Sequence, residues 1–160
     1  MINIIIEISK GSNIKYEYDG PNLKVDRFLN VPFVYPFNYG YLPKTLGRDN
    51  DPLDAVVLCE HSLLPGCRIN CKLIGVLKTE DEHGEDNKFI FVPCNNVDIK
   101  SKSINDLNDI PKKEKDKVEY FFTHYKDLDE DKWIKIHGWC NDINESKILL
   151  NNSDIYEKNH

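Results

Sequence analysis

Three aspartates, Asp49, Asp51 and Asp54, fall within the six residues Asp49-Asn50-Asp51-Pro52-Leu53-Asp54, directly before the apolar run Ala55-Val56-Val57-Leu58. Pro52 and the strand-like run after it exclude a helical face. The carboxylates therefore crowd onto one loop, where their mutual repulsion needs an offset. A hard divalent cation such as Mg²⁺ supplies one, because it takes oxygen ligands in octahedral geometry and keeps several waters together with a substrate phosphate. An acidic surface turn fits the same residues, since Asp, Asn and Pro are turn formers. An EF-hand does not: counted from Asp49, Leu53 stands where an oxygen ligand is required and Asp54 where a glycine is required.

The elements that must position this loop read as short strands. Met1 to Ile8 is nearly continuous apolar sequence without a basic leader or a small-residue cleavage site, so it reads as a buried strand, not a signal peptide. Ile14-Lys15-Tyr16-Glu17-Tyr18 alternates, which directs Lys15 and Glu17 to the same strand face. Further strand-like runs cover Leu23 to Leu29, Leu53 to Cys59, Arg68 to Lys78, Lys88 to Pro93 and Trp133 to Trp139, separated by Pro, Gly and Asn/Asp. Pro111 suits a first helical turn, and Val118, Phe121, Phe122, Tyr125 and Leu128 recur at helical spacing, which predicts a helix over 111–127. A weaker helix is expected over Asn144 to Asn151, and Glu157 to His160 are expected to fray. Many short strands and few helices suggest a barrel.

At 160 residues the chain fits one domain with a substantial core. No stretch approaches the ~18 consecutive apolar residues of a membrane span, and a cytosolic location is expected. Cys59, Cys67, Cys71, Cys94 and Cys140 are odd in number and form no C-x-x-C, which argues against a disulfide framework and a zinc site. With 27 acidic against 21 basic residues and a net charge of -6, a sequence-independent grip on nucleic-acid phosphates is disfavoured. The five histidines show no metal-binding spacing.

A second acidic cluster, Glu80-Asp81-Glu82-His83-Gly84-Glu85-Asp86, lies between two strand-like runs and is followed by Lys88. Alone it reads as a solvated hairpin tip. Joined to Val25-Asp26-Arg27-Phe28, to Tyr35-Pro36-Phe37-Asn38-Tyr39-Gly40-Tyr41 and to His124-Tyr125-Lys126-Asp127-Leu128, it resembles the soluble family I inorganic pyrophosphatases nearly end to end, with the D-x-D-P-x-D loop as the family's signature. The resemblance implies an OB-like five-stranded β-barrel with packed helices, α+β and mainly β, forming a single domain over 1–160. It implies Mg²⁺-dependent hydrolysis of pyrophosphate to two phosphates, with three to four Mg²⁺ per site, and a homo-oligomer, a hexamer by family analogy.

Site residues follow from the same resemblance. Asp49, Asp54 and Asp86 match ligands of the two metals that activate water, with Asp54 as the bridge. Asp81 with Asp86 matches ligands of a metal delivered with substrate, and Glu17 matches a residue serving a further metal. Asp51 matches the general base. Lys15, Arg27, Tyr125 and Lys126 match groups that hold phosphate oxygens, and Tyr39 matches a tyrosine beside the base. Glu7, Tyr35 and Lys88 match further cavity residues that support the others. Asn50 stands where many relatives have glycine; asparagine tolerates positive φ, so the loop should keep its shape. The N-terminal helix of many bacterial members is missing ahead of the first strand, which leaves the packing of one barrel end open.

Charge chemistry agrees with this picture. Seven carboxylates (Glu7, Glu17, Asp49, Asp51, Asp54, Asp81, Asp86) face four cations (Lys15, Arg27, Lys88, Lys126). Pyrophosphate brings about three to four more negative charges, so roughly as many divalent ions are needed to restore balance. Plainer readings stand beside each residue: Lys15 and Glu17 as a cross-strand surface pair, Tyr125 as the edge of a helix, Lys126 as a solvated lysine. Two other functions compete. An OB-type oligonucleotide-binding module needs a basic groove with stacking aromatics, against which the acidic loops argue. A metal-dependent hydrolase of nucleotides or other phosphoesters needs a base pocket, of which the sequence gives no sign.

Overall fold

The computed structural model describes residues 1–156, so the fraying expected at Glu157 to His160 lies outside the described residues. Nine strands and two α-helices follow in the order β1 (Ile2–Ile8), β2 (Ile14–Asp19), β3 (Asn22–Phe28), β4 (Asn38–Tyr41), β5 (Asp54–Val57), β6 (Arg68–Asp81), β7 (Gly84–Glu85), β8 (Lys88–Pro93), α1 (Lys112–His124), β9 (Ile134–Cys140) and α2 (Ile143–Ser153). Two short 3₁₀ turns, Ile99–Ser103 and Leu107–Asp109, lead into α1.

The main sheet closes on itself. β1 pairs antiparallel with β4, β4 antiparallel with β5, β5 parallel with β8, β8 antiparallel with β6, and β6 antiparallel with β1. This is the five-stranded OB-like barrel with packed helices that the family resemblance implies, and the barrel that the short strands suggest. β6, 14 residues long, outlasts its barrel partners and uses its far end to pair with β9 on one edge and β7 on the other. β2 and β3 form a separate hairpin.

Alternation along the barrel strands sorts side chains into two cores. Ala55, Val57, Phe89 and Phe91 join the cluster containing Ile4 and Ile6, against which Leu149 and Leu150 of α2 pack. Their neighbours Val56, Ile90 and Val92 join a second cluster with Val118, Phe121 and Phe122 of α1, together with Tyr35 and Phe37. β8 is accordingly buried throughout. Among the described residues no helix is long and apolar enough to cross a membrane.

Several boundaries differ from the sequence reading. α1 stops at His124, three residues before the predicted end, because Asp127 N donates to His124 O and Asp129 N to Lys126 O in successive turns. This places Tyr125 and Lys126 beyond the helix, free of its regular face. β4 and β7 are strands that sequence periodicity did not show. β4 is interrupted in sequence by Gly40, yet glycine is what the pairing requires: a Cβ there would lie 1.8 Å from Ile5 O of β1. All five cysteines are free thiols, with Cys71, Cys94 and Cys140 buried.

Candidate active site

The acidic side chains gather because the strands carrying them end at one rim. Asp54 opens β5 and Lys88 opens β8, and parallel pairing of these strands, with Ala55 opposite Phe89, sets the two side by side. Asp81 closes β6, and Asp86 sits in the short link between β7 and β8. Asp49 and Asp51 lie on the β4–β5 connection. There Asp51 N donates to Asp49 Oδ1 at 3.1 Å and Gly47 N donates to Asp51 O at 2.7 Å, while Asn50 adopts φ +69° as its tolerance of that region allows.

A cavity of about 590 Å³ opens at this rim. Of the residues singled out in the sequence it is lined by Glu7, Lys15, Arg27, Tyr35, Tyr39, Asp49, Asp51, Asp54, Asp81, Asp86, Lys88, Tyr125 and Lys126. Glu17 is the one left outside. It lines an adjoining cavity of about 400 Å³ that shares Glu7, Lys15, Asp51 and Asp54 with the first, and its carboxylate faces Lys24 across the hairpin at 3.4 Å. Lys15 and Glu17 both line the smaller cavity, as the alternation of β2 expects, but Glu17 stands two residues, about 7 Å, farther along the strand and borders only that one. The bulge beside Lys15 falls on β3, where Asp26 is the extra residue between the pairs Lys15–Arg27 and Tyr16–Val25.

Lys88 organises the centre. It is 2% exposed, and its Nζ donates to Asp54 Oδ2 at 2.7 Å, to Asp86 Oδ2 at 2.8 Å and to the Tyr39 hydroxyl at 3.3 Å. Burial alone would push its ammonium down; Asp54 and Asp86 outweigh that and hold it well above the ordinary lysine value. Asp86 itself is pushed up, by burial first, with Lys88 opposing and Asp54 adding to the rise. Asp49 is likewise raised by burial. Glu7 rises to about 7, again through burial, with Lys15 opposing at 3.9 Å and Asp54 reinforcing. Burial also raises the phenols of Tyr35, Tyr39 and Tyr125, so each stays a neutral hydrogen-bond donor.

At the other wall Lys126 Nζ lies 3.1 Å from Asp81 Oδ2 and 3.4 Å from Glu82 Oε2. Glu82 was missed in the sequence, hidden among the acids of the hairpin. It lines the main cavity and also accepts from Trp133 N at 3.3 Å. The cation Lys126 without an assigned carboxylate partner was the available signal. Asp26, also passed over, faces both Arg27 (3.5 Å) and Lys15 (4.0 Å). Asp129 and Lys132 complete the main cavity's carboxylates and Lys/Arg side chains, eight of the first and five of the second, and Asn30 and His83 are polar neighbours.

A divalent cation fits this donor set. The carboxylates are all hard oxygen donors, outnumber their cations, and already hold one cationic group, the Lys88 ammonium, between Asp54 and Asp86. As they stand, no three His, Cys, Asp or Glu side chains among the described residues share one ion-sized site. Accommodating an ion requires carboxylates to turn from lysine contacts toward it.

Comparison with known proteins points the same way. The inorganic pyrophosphatase family model matches residues 4–157. The chain is 51% identical over 140 residues to an inorganic pyrophosphatase of Saccharolobus solfataricus, covering 86% of this chain and 81% of that one. It is 44% identical over 156 residues to that of Rickettsia typhi, covering 96% and 88%. Among solved structures, the inorganic pyrophosphatase of Helicobacter pylori superposes with a TM-score of 0.87 at 42% identity, covering 97% of this chain and 92% of that one.

Proposed function

The chain belongs to the inorganic pyrophosphatase family and is a hydrolase of pyrophosphate, and we propose that it works with three to four Mg²⁺ per site, Asp51 serving as general base toward the attacking water. The observation supporting this reading is the convergence of thirteen sequence-selected residues on one acidic cavity. Asp49, Asp54, Asp86 and Asp81 would hold the ions, with Glu17 reaching one through the adjoining cavity. Bound Mg²⁺ would neutralise phosphate oxygens and lower the pKa of water.

The chain's own groups do the remaining work. Lys15, Arg27 and Lys126 attract and orient the anion, Arg27 with a planar fork suited to two phosphate oxygens at once. Tyr39 and Tyr125, kept protonated by burial, donate to oxygens and never compete for the ions. Asp51 takes a proton from water at its carboxylate as the water oxygen bonds to one phosphorus and the bridging P–O bond breaks, and the leaving phosphate carries away the electron pair. Glu7, Tyr35 and Lys88 set the charge and position of these groups. The domain acts in the cytoplasm as a homo-oligomer, a hexamer by family analogy, with no nucleic-acid or membrane partner.

Phosphate release from pyrophosphate and from ATP, each with Mg²⁺ and then with EDTA, tests the reading. Rapid release from pyrophosphate that stops on chelation, with little from ATP, is expected. Equal release from ATP would favour a broader phosphoester hydrolase, and release unaffected by EDTA would exclude the metals.

A further inference from the structure

We infer that the turn closing α2 positions the carboxylates of the β4–β5 acidic loop, with Asp154 as the positioning residue; this rests on reading that loop as a metal site. The loop has two feet. At the β5 foot it is tied within itself: Leu53 N donates to Thr45 Oγ1 at 3.0 Å, Thr45 Oγ1 donates to Leu42 O at 2.6 Å, and Leu42 N donates to Leu53 O at 3.0 Å.

The other foot is held from a distant part of the chain. Asp154 Oδ1 accepts from Leu46 N at 3.0 Å, and Ile155 N donates to Leu46 O at 2.8 Å. Both backbone polar groups of Leu46 are thus taken by the segment after α2. Leu46 is bonded directly to Gly47, whose N–H closes on Asp51 O and whose carbonyl accepts from Asn50 N at 3.1 Å. Fixing Leu46 therefore fixes the plane from which Asp49 and Asp51 project. Asp154 is itself oriented, since the same oxygen accepts from Tyr156 N at 3.0 Å.

A second contact reinforces the first. Ser153, beside Asp154, lines a small cavity of about 20 Å³ together with Asp49, Asp54 and Asp86. Its hydroxyl oxygen is buried and has no hydrogen-bond partner among the described residues. Such a space is large enough for about one water, through which the hydroxyl can reach the carboxylates. The end of α2 so meets these carboxylates from a second cavity, which shares Asp49, Asp54 and Asp86 with the main one. Outer partners of this kind orient ligating side chains and preserve their affinity.

The test compares wild type, Asp154→Ala and Asp154→Asn by Mg²⁺ titration of pyrophosphate hydrolysis, by calorimetric Ca²⁺ binding without turnover, and by melting in EDTA. Asparagine removes the charge and keeps the acceptor oxygen. Asp154→Ala is expected to raise the Mg²⁺ concentration for half-maximal activity by about 10-fold, within the usual range for outer partners of metal ligands, with a matching loss of Ca²⁺ affinity and a smaller loss at saturating Mg²⁺. Asp154→Asn is expected to behave as wild type. A folded Asp154→Ala with unchanged metal dependence would overturn the inference, as would equal weakening in Asp154→Asn. Should alanine not fold, Asp154→Glu, which displaces the acceptor by one methylene, is judged by the same criteria. If wild type shows neither Ca²⁺ binding nor Mg²⁺ activation, the metal reading itself falls.

Discussion

Replacing Lys88 by methionine removes one ammonium and leaves the aliphatic packing beside Phe122, whose ring centre lies 5.4 Å from Nζ. What remains is two carboxylates that had shared that charge, Asp54 and Asp86, with side chains 25% and 19% exposed. Breaking a fully buried ion pair costs about 3–5 kcal/mol. Because both acids keep some water, the cost here should be lower, about 2–4 kcal/mol, which for a chain of this length lowers the melting temperature by roughly 5–15 °C. Asp86, already raised by burial, should rise further without Lys88. A carboxylate with a raised folded-state pKa contributes stability at low pH that is lost as pH climbs through that value. The deficit of Lys88→Met should therefore be larger at pH 8 than at pH 5. Adding Mg²⁺ should then stabilise Lys88→Met more than wild type, since two unpaired acids gain a counterion. Scanning calorimetry in EDTA and in Mg²⁺, at matched protein concentration, measures each step. A variant as stable as wild type in EDTA, or one that gains no more from Mg²⁺ than wild type does, would refute the assignment of Lys88 as counterion to these two carboxylates.

Asp51→Asn should fold and keep most metal affinity but lose turnover by about 10² to 10⁴-fold, because an amide cannot accept the proton; near-normal turnover in steady-state assays would remove Asp51 from the base role. Arg27→Lys keeps the charge but not the bidentate fork, so kcat/KM should fall clearly, and kinetics matching wild type would make Arg27 a structural partner of Asp26. Glu7, at about 7 in the folded metal-free protein against 4.5 in the open chain, holds its proton longer when folded, so stability from this group is full below pH 4.5 and lost as pH rises through 7. That loss is about 3 kcal/mol. Glu7→Gln should therefore flatten the pH dependence of denaturant unfolding in EDTA and be the more stable protein at pH 8, a view abandoned if both proteins show the same slope.

What could be read in the sequence was chemistry carried by neighbours in the chain. Asp49, Asp51 and Asp54 announce themselves by spacing, and β8 by its unbroken apolar run. What could not be read depends on pairing between distant residues. The contact of Lys88 with Asp54 spans 34 residues and exists only because β5 and β8 run parallel, a register that neither strand encodes alone. Glu82 looked like one of several solvated acids until the chain after α1 brought Lys126 over it. Glu17 shows the reverse: strand alternation sent it with Lys15, and its place two residues farther along β2 leaves it lining only the adjoining cavity. The grip of Asp154 on Leu46 uses a backbone donor 108 residues away, for which side-chain patterns carry no signal.

Lys88 also bears on how so acidic a cavity can fold at all. Carboxylates that bind ions tightly must be brought together before the ions arrive, and their repulsion then counts against folding. A lysine stem rooted at the first residue of β8, with its head between Asp54 and Asp86, offsets that repulsion from within the chain. A univalent ammonium does so without supplying the octahedral geometry of Mg²⁺. On the proposed assignment, an ion held by Asp54 and Asp86 would displace some of this contact, so its affinity would be the difference between two cationic partners of the same oxygens. The elevated Asp49, Asp86 and Glu7 carboxyls point in the same direction, because burial has raised their energy in the charged form and an incoming divalent ion would recover it. Under that proposal, stability withheld from the metal-free fold would become binding energy for the metals.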